Sequence, residues 1–267
     1  MSDSKDLIFS HLCEEEAEAD NPFVAQRCYC SGYDVFGDIV PRASYTEYLF
    51  LLFRGERPCP GQARALEILA LALASPGPRD PSVHAAMSAG VGGSPAAAAL
   101  MAALAAGAGS SGGAREVFLA MRLWQQCGND LAAWQDALAN PARPTRLLAW
   151  PDIAHPPGFL PHHAHAAQPA IQTLHAIASA FDGVASRWLY DQHNTLAESC
   201  GHGLALSGVA AAALHDLGFS PEEGEMLTLL LRLPGAAALA LEQGKQGFRH
   251  FPFFSIHITN DPGPQAA

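Results

Sequence analysis

Gly107-Ala-Gly-Ser-Ser-Gly-Gly-Ala-Arg-Glu116 is a glycine-rich step between two runs that read as helices, Pro95 to Ala106 and Gly113 to Gln126. Glycine at this density interrupts a helix and lets the backbone approach its neighbours closely. On either side alanine and leucine dominate and β-branched residues are few, which favours helix over sheet. A mainly α fold follows, because the same pattern extends in both directions.

Towards the N-terminus, Tyr45, Tyr48, Leu49, Leu52 and Phe53 recur at three- and four-residue spacing after a Ser44/Glu47 capping box, and Arg54-Gly55 ends that run. Gly61 to Ser75 repeats the pattern and stops at Pro76-Gly-Pro78. Further helices are expected over Ser82 to Gly90, Leu131 to Leu138, Ala167 to Phe181, Gly201 to Leu217 and Pro221 to Gln243. The acidic leader Glu14-Glu-Glu-Ala-Glu18 and the polar stretch through Pro41 read as loop or short strand. Between Asn140 and His165 the prolines Pro141, Pro144, Pro151, Pro156, Pro157 and Pro161 predict a long irregular loop joining two helical blocks, and such loops are often functional. The expected organisation is residues 1–32 as leader, 33–139 as the first helical block of a large domain, and 140–166 as a Pro/His-rich loop. A second block over 167–254 includes a smaller subdomain, and 255–267 form a tail.

Composition excludes several function classes. With 267 residues and 49% hydrophobic content the chain can bury a substantial core. A formal charge of -11 with no basic patch argues against a nucleic-acid partner. Met1-Ser-Asp-Ser-Lys-Asp lacks the features of a signal peptide, and no apolar run reads as a bilayer span, so a cytoplasmic protein without membrane contact is expected. Six scattered cysteines and a single Cys28-Tyr-Cys30 pair suggest free thiols rather than disulfides or zinc.

Four anchors in order carry a family resemblance from about Tyr33 to Phe254: Tyr33-Asp-Val-Phe-Gly-Asp-Ile-Val with Tyr45 to Pro58; Gly107 to Glu116; Gly158-Phe159; and Asp216-Leu-Gly-Phe219 with Arg232-Leu-Pro-Gly235. Together they resemble the citrate synthase superfamily, and most of all its small citryl-CoA lyases. That resemblance implies a large helical domain with a smaller helical subdomain, a short N-terminal hairpin and a two-fold homodimer. It also implies a coenzyme A thioester as substrate, with no tightly bound cofactor.

The resemblance also marks substitutions at the positions that carry the family's chemistry. Ser111 stands where the histidine of a His-Gly-Gly-Ala signature polarises the acyl-CoA carbonyl. Ser207 stands where an aspartate takes the proton, and serine is no unaided base. In the loop opened by Gly158-Phe159 the second histidine falls on Pro161 or, with a one-residue slip, on His162. An arginine expected before the glycine-rich loop falls near Met87 or Gly90, and Ala238-Leu239 to Glu242 lacks the family's histidine. Citrate formation from oxaloacetate is therefore not expected, since its two carboxylates need positive partners.

His162 or His163 is the catalytic residue on this reading, Ser111 and Ser207 line the pocket, and Ser110, Gly158, Phe159 and Arg232 bind substrate. Two alternatives remain for the serines, a new polar site or simple filling of space. His162, His163 and His165, with His155 nearby, lack acidic or cysteine partners at ligand spacing and are read as a CoA-contact or exposed loop rather than a metal site. His202, between Gly201 and Gly203, has two readings, a place near the site and, as the default, a helix-cap or interface role. No Walker lysine and no Gly-x-Ser-x-Gly elbow is present. Two functions remain: an enzyme making or breaking a carbon–carbon bond beside a thioester carbonyl, or a degenerate relative kept as a binding or partner subunit.

Overall fold

The computed structural model describes residues 10–140 and 155–252. Met1 to Phe9, the prolines Pro141, Pro144 and Pro151 of the expected loop, and the expected 255–267 tail lie outside the described residues.

The described residues open with a three-stranded antiparallel meander, β1 (Cys13–Ala17), β2 (Ala25–Cys30) and β3 (Tyr33–Asp34), with Cys13 opposite Cys30 and Tyr29 opposite Asp34. The expected short N-terminal hairpin is thus present, extended to three strands. The β2–β3 turn is Ser31-Gly32, both at positive φ, the geometry that joins twisted strands over two residues. Of the two alternatives for the acidic leader, loop or short strand, the structure has the strand; the sequence alone leaves them open because every residue of β1 is exposed and acidic side chains fill it. Such a strand shows no apolar alternation, and its charges protect a sheet edge.

A π-helical turn, Val35–Ile39, and the short α1 (Val40–Arg42) lead into α2 (Tyr45–Arg54). The capping box is present in both directions: Glu47 N–H donates to Ser44 Oγ at 3.2 Å, and Ser44 N–H to Glu47 Oε2 at 2.6 Å. That backbone donor holds the Glu47 carboxyl below its usual range. Its stabilising contribution is thus present above the ordinary carboxylate pKa and is lost as pH falls through the lowered value. Ser44→Ala is expected to cost about 1 kcal/mol, a fall of roughly 2–4 °C in Tm by calorimetry.

The remaining helices are α3 (Pro60–Leu73), α4 (Pro81–Val91), α5 (Ala96–Gly107), α6 (Ala114–Cys127), α7 (Leu131–Ala139), α8 (Gln168–Ala180), α9 (Val184–Cys200), α10 (Leu206–Asp216) and α11 (Pro221–Gln246). Seven of these match an expected run within a few residues. α9 had no counterpart in the sequence reading, and the run expected from Gly201 begins only at Leu206. Each difference arises at a glycine that bounds α9. The N-cap of α9 is Gly183, which has no side chain, and its first N–H groups are satisfied from 30 residues away. Ala185 N–H donates to Asp216 Oδ1 at 2.8 Å and Ser186 N–H to Oδ2 at 2.7 Å. Gly201, at φ 75°, is the left-handed cap that ends α9 and not the start of its successor.

α10 lies at the centre of the molecule, and every residue from Ser207 to Leu214 is buried. A helix apolar on all sides is one surrounded by others, here α3, α6, α8, α9 and α11. Its alanines, Ala210 to Ala213, allow those axes to come close. Trp124 closes one end of this core, edge-on to Trp134 at 4.8 Å and to Trp188 at 5.6 Å. A separate apolar cluster joins Val83, Ala86 and Met87 of α4 with Ala99 and Ala103 of α5 and Ala236 and Ala240 of α11. α11 therefore belongs to both cores. At Gly235 it runs so close to the end of α3 that a Cβ would lie 1.8 Å from the Ala74 carbonyl oxygen. Among the described residues α11 is the one helix long and apolar enough in composition to cross a bilayer, yet its buried face carries Thr228, Arg232 and Gln243. All six cysteines are free, and burial pushes the Cys30 and Cys127 thiols up.

Candidate functional site

The glycine-rich step is a turn that only glycine can make. A Cβ on Gly113 would lie 2.2 Å from the Gly109 carbonyl oxygen, and Gly112 sits at φ 70°. The chain folds back on itself between the end of α5 and the start of α6. Glu116 lies in the first turn of α6, where a carboxylate is favoured by the exposed N–H groups and the helix dipole. Its side chain turns inward and the residue is 1% exposed.

Three segments meet on that carboxylate. Gly112 N–H donates to Oε2 from the glycine-rich loop. Gly158 N–H donates to Oε1 at 3.1 Å and Ser207 Oγ donates to the same oxygen at 2.6 Å. His155 Nε2 stands 3.5 Å from Oε2, with both side chains almost fully buried, and has no hydrogen-bond partner among the described residues. A buried carboxylate is costly unless its lone pairs are filled. Here the donors of a loop, a second loop and the first turn of α10 fill them.

The second loop is fixed to the segment between α9 and α10. Gly158, at φ 89°, packs against Gly208, where a Cβ on the former would lie 2.9 Å from the latter's Cα. Phe159 bridges Leu204, Leu160 N–H donates to Gly203 O at 2.7 Å, Gly203 N–H to His163 O at 2.7 Å, and Ala205 N–H to Gly158 O at 3.0 Å. His202 is half-buried there, with Nδ1 at 2.8 Å from the Leu160 carbonyl oxygen and its ring 6.2 Å from that of His155.

Of the residues singled out from sequence, Ser207 and Gly158 come together on Glu116, and Phe159 is buried beside them. Ser110 and Ser111 sit on the glycine-rich loop next to Gly112, the first half-buried and the second exposed. His162 and His163 are exposed on the outer part of the second loop, where His163 Nδ1 accepts from His165 N–H at 3.1 Å. Arg232 is buried beneath the glycine-rich loop. Its Nη1 donates to Gly112 O at 3.0 Å and lies 3.4 Å from Asp80 Oδ2. Asp80 also caps α4 through Ser82 N–H at 2.9 Å.

Glu116, His155 and Asp80 are the members that sequence reading did not place at the centre. A glutamate in the first turn of a helix is ordinary, so nothing local distinguishes this one. His155 stands apart from His162 because the chain turns at Gly158. Chemically, Glu116 is a fixed anion that locks three segments together. Among the described residues no three His, Cys, Asp or Glu side chains group as metal ligands.

No family model and no curated protein sequence matches the chain. Solved structures do match in fold. Citryl-CoA lyase from Hydrogenobacter thermophilus superposes with a TM-score of 0.72 at 17% identity, over 98% of each chain. ATP citrate lyase from Methanothrix soehngenii, in complex with citrate and coenzyme A, gives 0.68 at 17% identity over 95% of this chain and 42% of its own. Citrate synthase from the archaeon Thermoplasma acidophilum, in a ternary complex with carboxymethyl coenzyme A and oxaloacetate, gives 0.51 at 13% identity over 85% of this chain and 59% of its own. The fold is therefore the citrate-synthase-like helical fold, as the sequence anchors implied.

Proposed function

We propose that this chain binds a coenzyme A thioester at the glycine-rich loop and the Gly158 loop, and makes or breaks the carbon–carbon bond next to the thioester carbonyl. The observation that carries this reading is the convergence of Gly112, Gly158 and Ser207 on the single buried carboxylate of Glu116. In a fold shared with citryl-CoA lyase, that convergence holds rigid the two loops on which the sequence anchors place the site. The partner substrate carries less charge than oxaloacetate, because Arg232 is already engaged by Asp80. Ser111 and Ser110 face the ligand at the loop rim, and His162 and His163 contact the coenzyme from outside. The enzyme is a cytoplasmic homodimer with no tightly bound cofactor.

Calorimetric titration with acetyl-CoA and with free CoA tests this reading. Micromolar binding of the thioester is the expected result. His162 and His163 are exposed, so their joint replacement by alanine is expected to leave the fold intact and weaken acetyl-CoA binding about tenfold, or ~1.4 kcal/mol.

A second reading has its own observation. Neither Ser111 nor Ser207 carries charge, and the nearest buried cation is paired, which suits a binding or partner subunit without chemistry. Absence of heat with either titrant would favour it.

A further inference from the structure

We infer that His202, at the junction of α9 and α10, is the proton-transfer residue of this site; the inference rests on the acyl-CoA reading above. Chemistry beside a thioester carbonyl needs a base that can take a proton from the α-carbon and return one. The structure leaves few groups able to do so. Both oxygens of Glu116 already accept hydrogen bonds, from Gly112, Gly158 and Ser207, and the residue is 1% exposed. His155 lies behind it, its side chain 3% exposed. His162 and His163 are exposed, and His163 Nδ1 already accepts from its own loop.

His202 differs from all of these. A carbonyl oxygen can only accept, so the 2.8 Å contact to Leu160 O makes Nδ1 the donor. In the neutral ring the lone pair is then on Nε2, which has no hydrogen-bond partner among the described residues. This is the arrangement by which a backbone carbonyl fixes the tautomer of a basic imidazole. The position is held as firmly as the tautomer. Gly201 caps α9 in the left-handed conformation, and a Cβ on Gly203 would lie 2.1 Å from the backbone of His165. The ring is half-buried, 6.2 Å from His155, which itself meets Glu116. It thus stands at the outer end of the group that starts at Ser207.

In the step proposed, the Nε2 lone pair takes a proton from the thioester α-carbon. The C–H electron pair moves into the bond to the carbonyl carbon and the negative charge to the thioester oxygen. The resulting imidazolium returns a proton to the same carbon, so no external oxidant or co-reactant is needed.

The test combines ring-nitrogen NMR of the histidine-labelled protein with exchange of the acetyl-CoA methyl protons in D2O. His202, assigned through His202→Gln, is expected as the Nδ1–H tautomer, with an Nε2 resonance that moves on saturation with acetyl-CoA. Wild-type protein is expected to catalyse the exchange. His202→Gln is expected to slow it at least ~100-fold, the usual worth of a general base, while the acetyl-CoA dissociation constant changes less than about threefold. His175→Gln, on the exposed side of α8, is the control that keeps the wild-type rate. An Nε2–H tautomer, or exchange unaffected in His202→Gln, overturns the assignment. Calorimetric binding without any exchange by the wild type overturns it while leaving the acyl-CoA reading standing. No binding at all overturns both.

Discussion

Glu116→Ala is expected to lower stability by about 3–5 kcal/mol, the range seen when one member of a buried, hydrogen-bonded charged group is removed. The substitution leaves Ser207 Oγ, Gly158 N–H and Gly112 N–H without their acceptor. A buried donor left unsatisfied costs about 1–3 kcal/mol. The three do not add fully, because the Gly112 loop is exposed enough to find water. Urea denaturation reads the effect, as a fall of ~1–2 M in midpoint for a slope of about 2–3 kcal/mol per molar. Glu116→Gln separates shape from charge. Its amide oxygen can still accept from Gly158 and Ser207, while its NH2 faces the Gly112 N–H, so the loss should be roughly half as large. Equal stability of the alanine variant and the wild type would mean that the three segments are held by packing alone. Ser207→Ala removes one donor and leaves the carboxylate its two backbone partners, so it should cost no more than ~1–2 kcal/mol.

That network also shows where the sequence was readable. The helix α2 announces itself, because Ser44/Glu47 puts both halves of a capping box within four residues, and the structure shows the same box at Ser220/Glu223 at the start of α11. α9 does not, because the carboxylate that starts it belongs to Asp216, at the far end of the next helix. β1 is left between loop and short strand, because hydrogen bonds to β2 and not burial hold it. At the site, the glycine-rich 107–113 step was legible as a break between two helical runs, while Gly158 was legible only through resemblance; the structure shows the backbone reason for it, a φ of 89° and close approach to Gly208. Ser207 was legible only through resemblance. Glu116 was not, since burial of a first-turn glutamate depends on Gly158 and Ser207, 42 and 91 residues away. His155 and His162 are close in sequence, yet one is buried and the other exposed, because the chain runs inside through Phe159 and reaches the surface at Pro161.

Arg232→Met is expected to cost about 2–4 kcal/mol, somewhat below the full penalty for breaking a buried pair. The discount follows from its partner. Asp80 keeps the N–H groups of Ser82 and Val83 at the start of α4 and is 12% exposed in its side chain, so it is not left wholly without compensation. The loss falls instead on the Gly112 carbonyl and on the link between α11, α4 and the glycine-rich loop. A double-mutant cycle with Asp80→Asn isolates the pair, because asparagine can still cap α4. A coupling of roughly 1–3 kcal/mol is expected for groups in direct contact, and a coupling near zero would mean that the 3.4 Å approach contributes nothing. The same pairing bears on substrate. A dicarboxylic or tricarboxylic ligand that used Arg232 would have to draw it away from Asp80. Citrate is therefore expected to leave the Tm of the wild type unchanged. A Tm that climbed with citrate, by the equivalent of ~2.7 kcal/mol at one hundred times Kd, and that no longer climbed in Arg232→Met, would show that the guanidinium exchanges partners and that the site accepts a more highly charged substrate than its resting geometry favours.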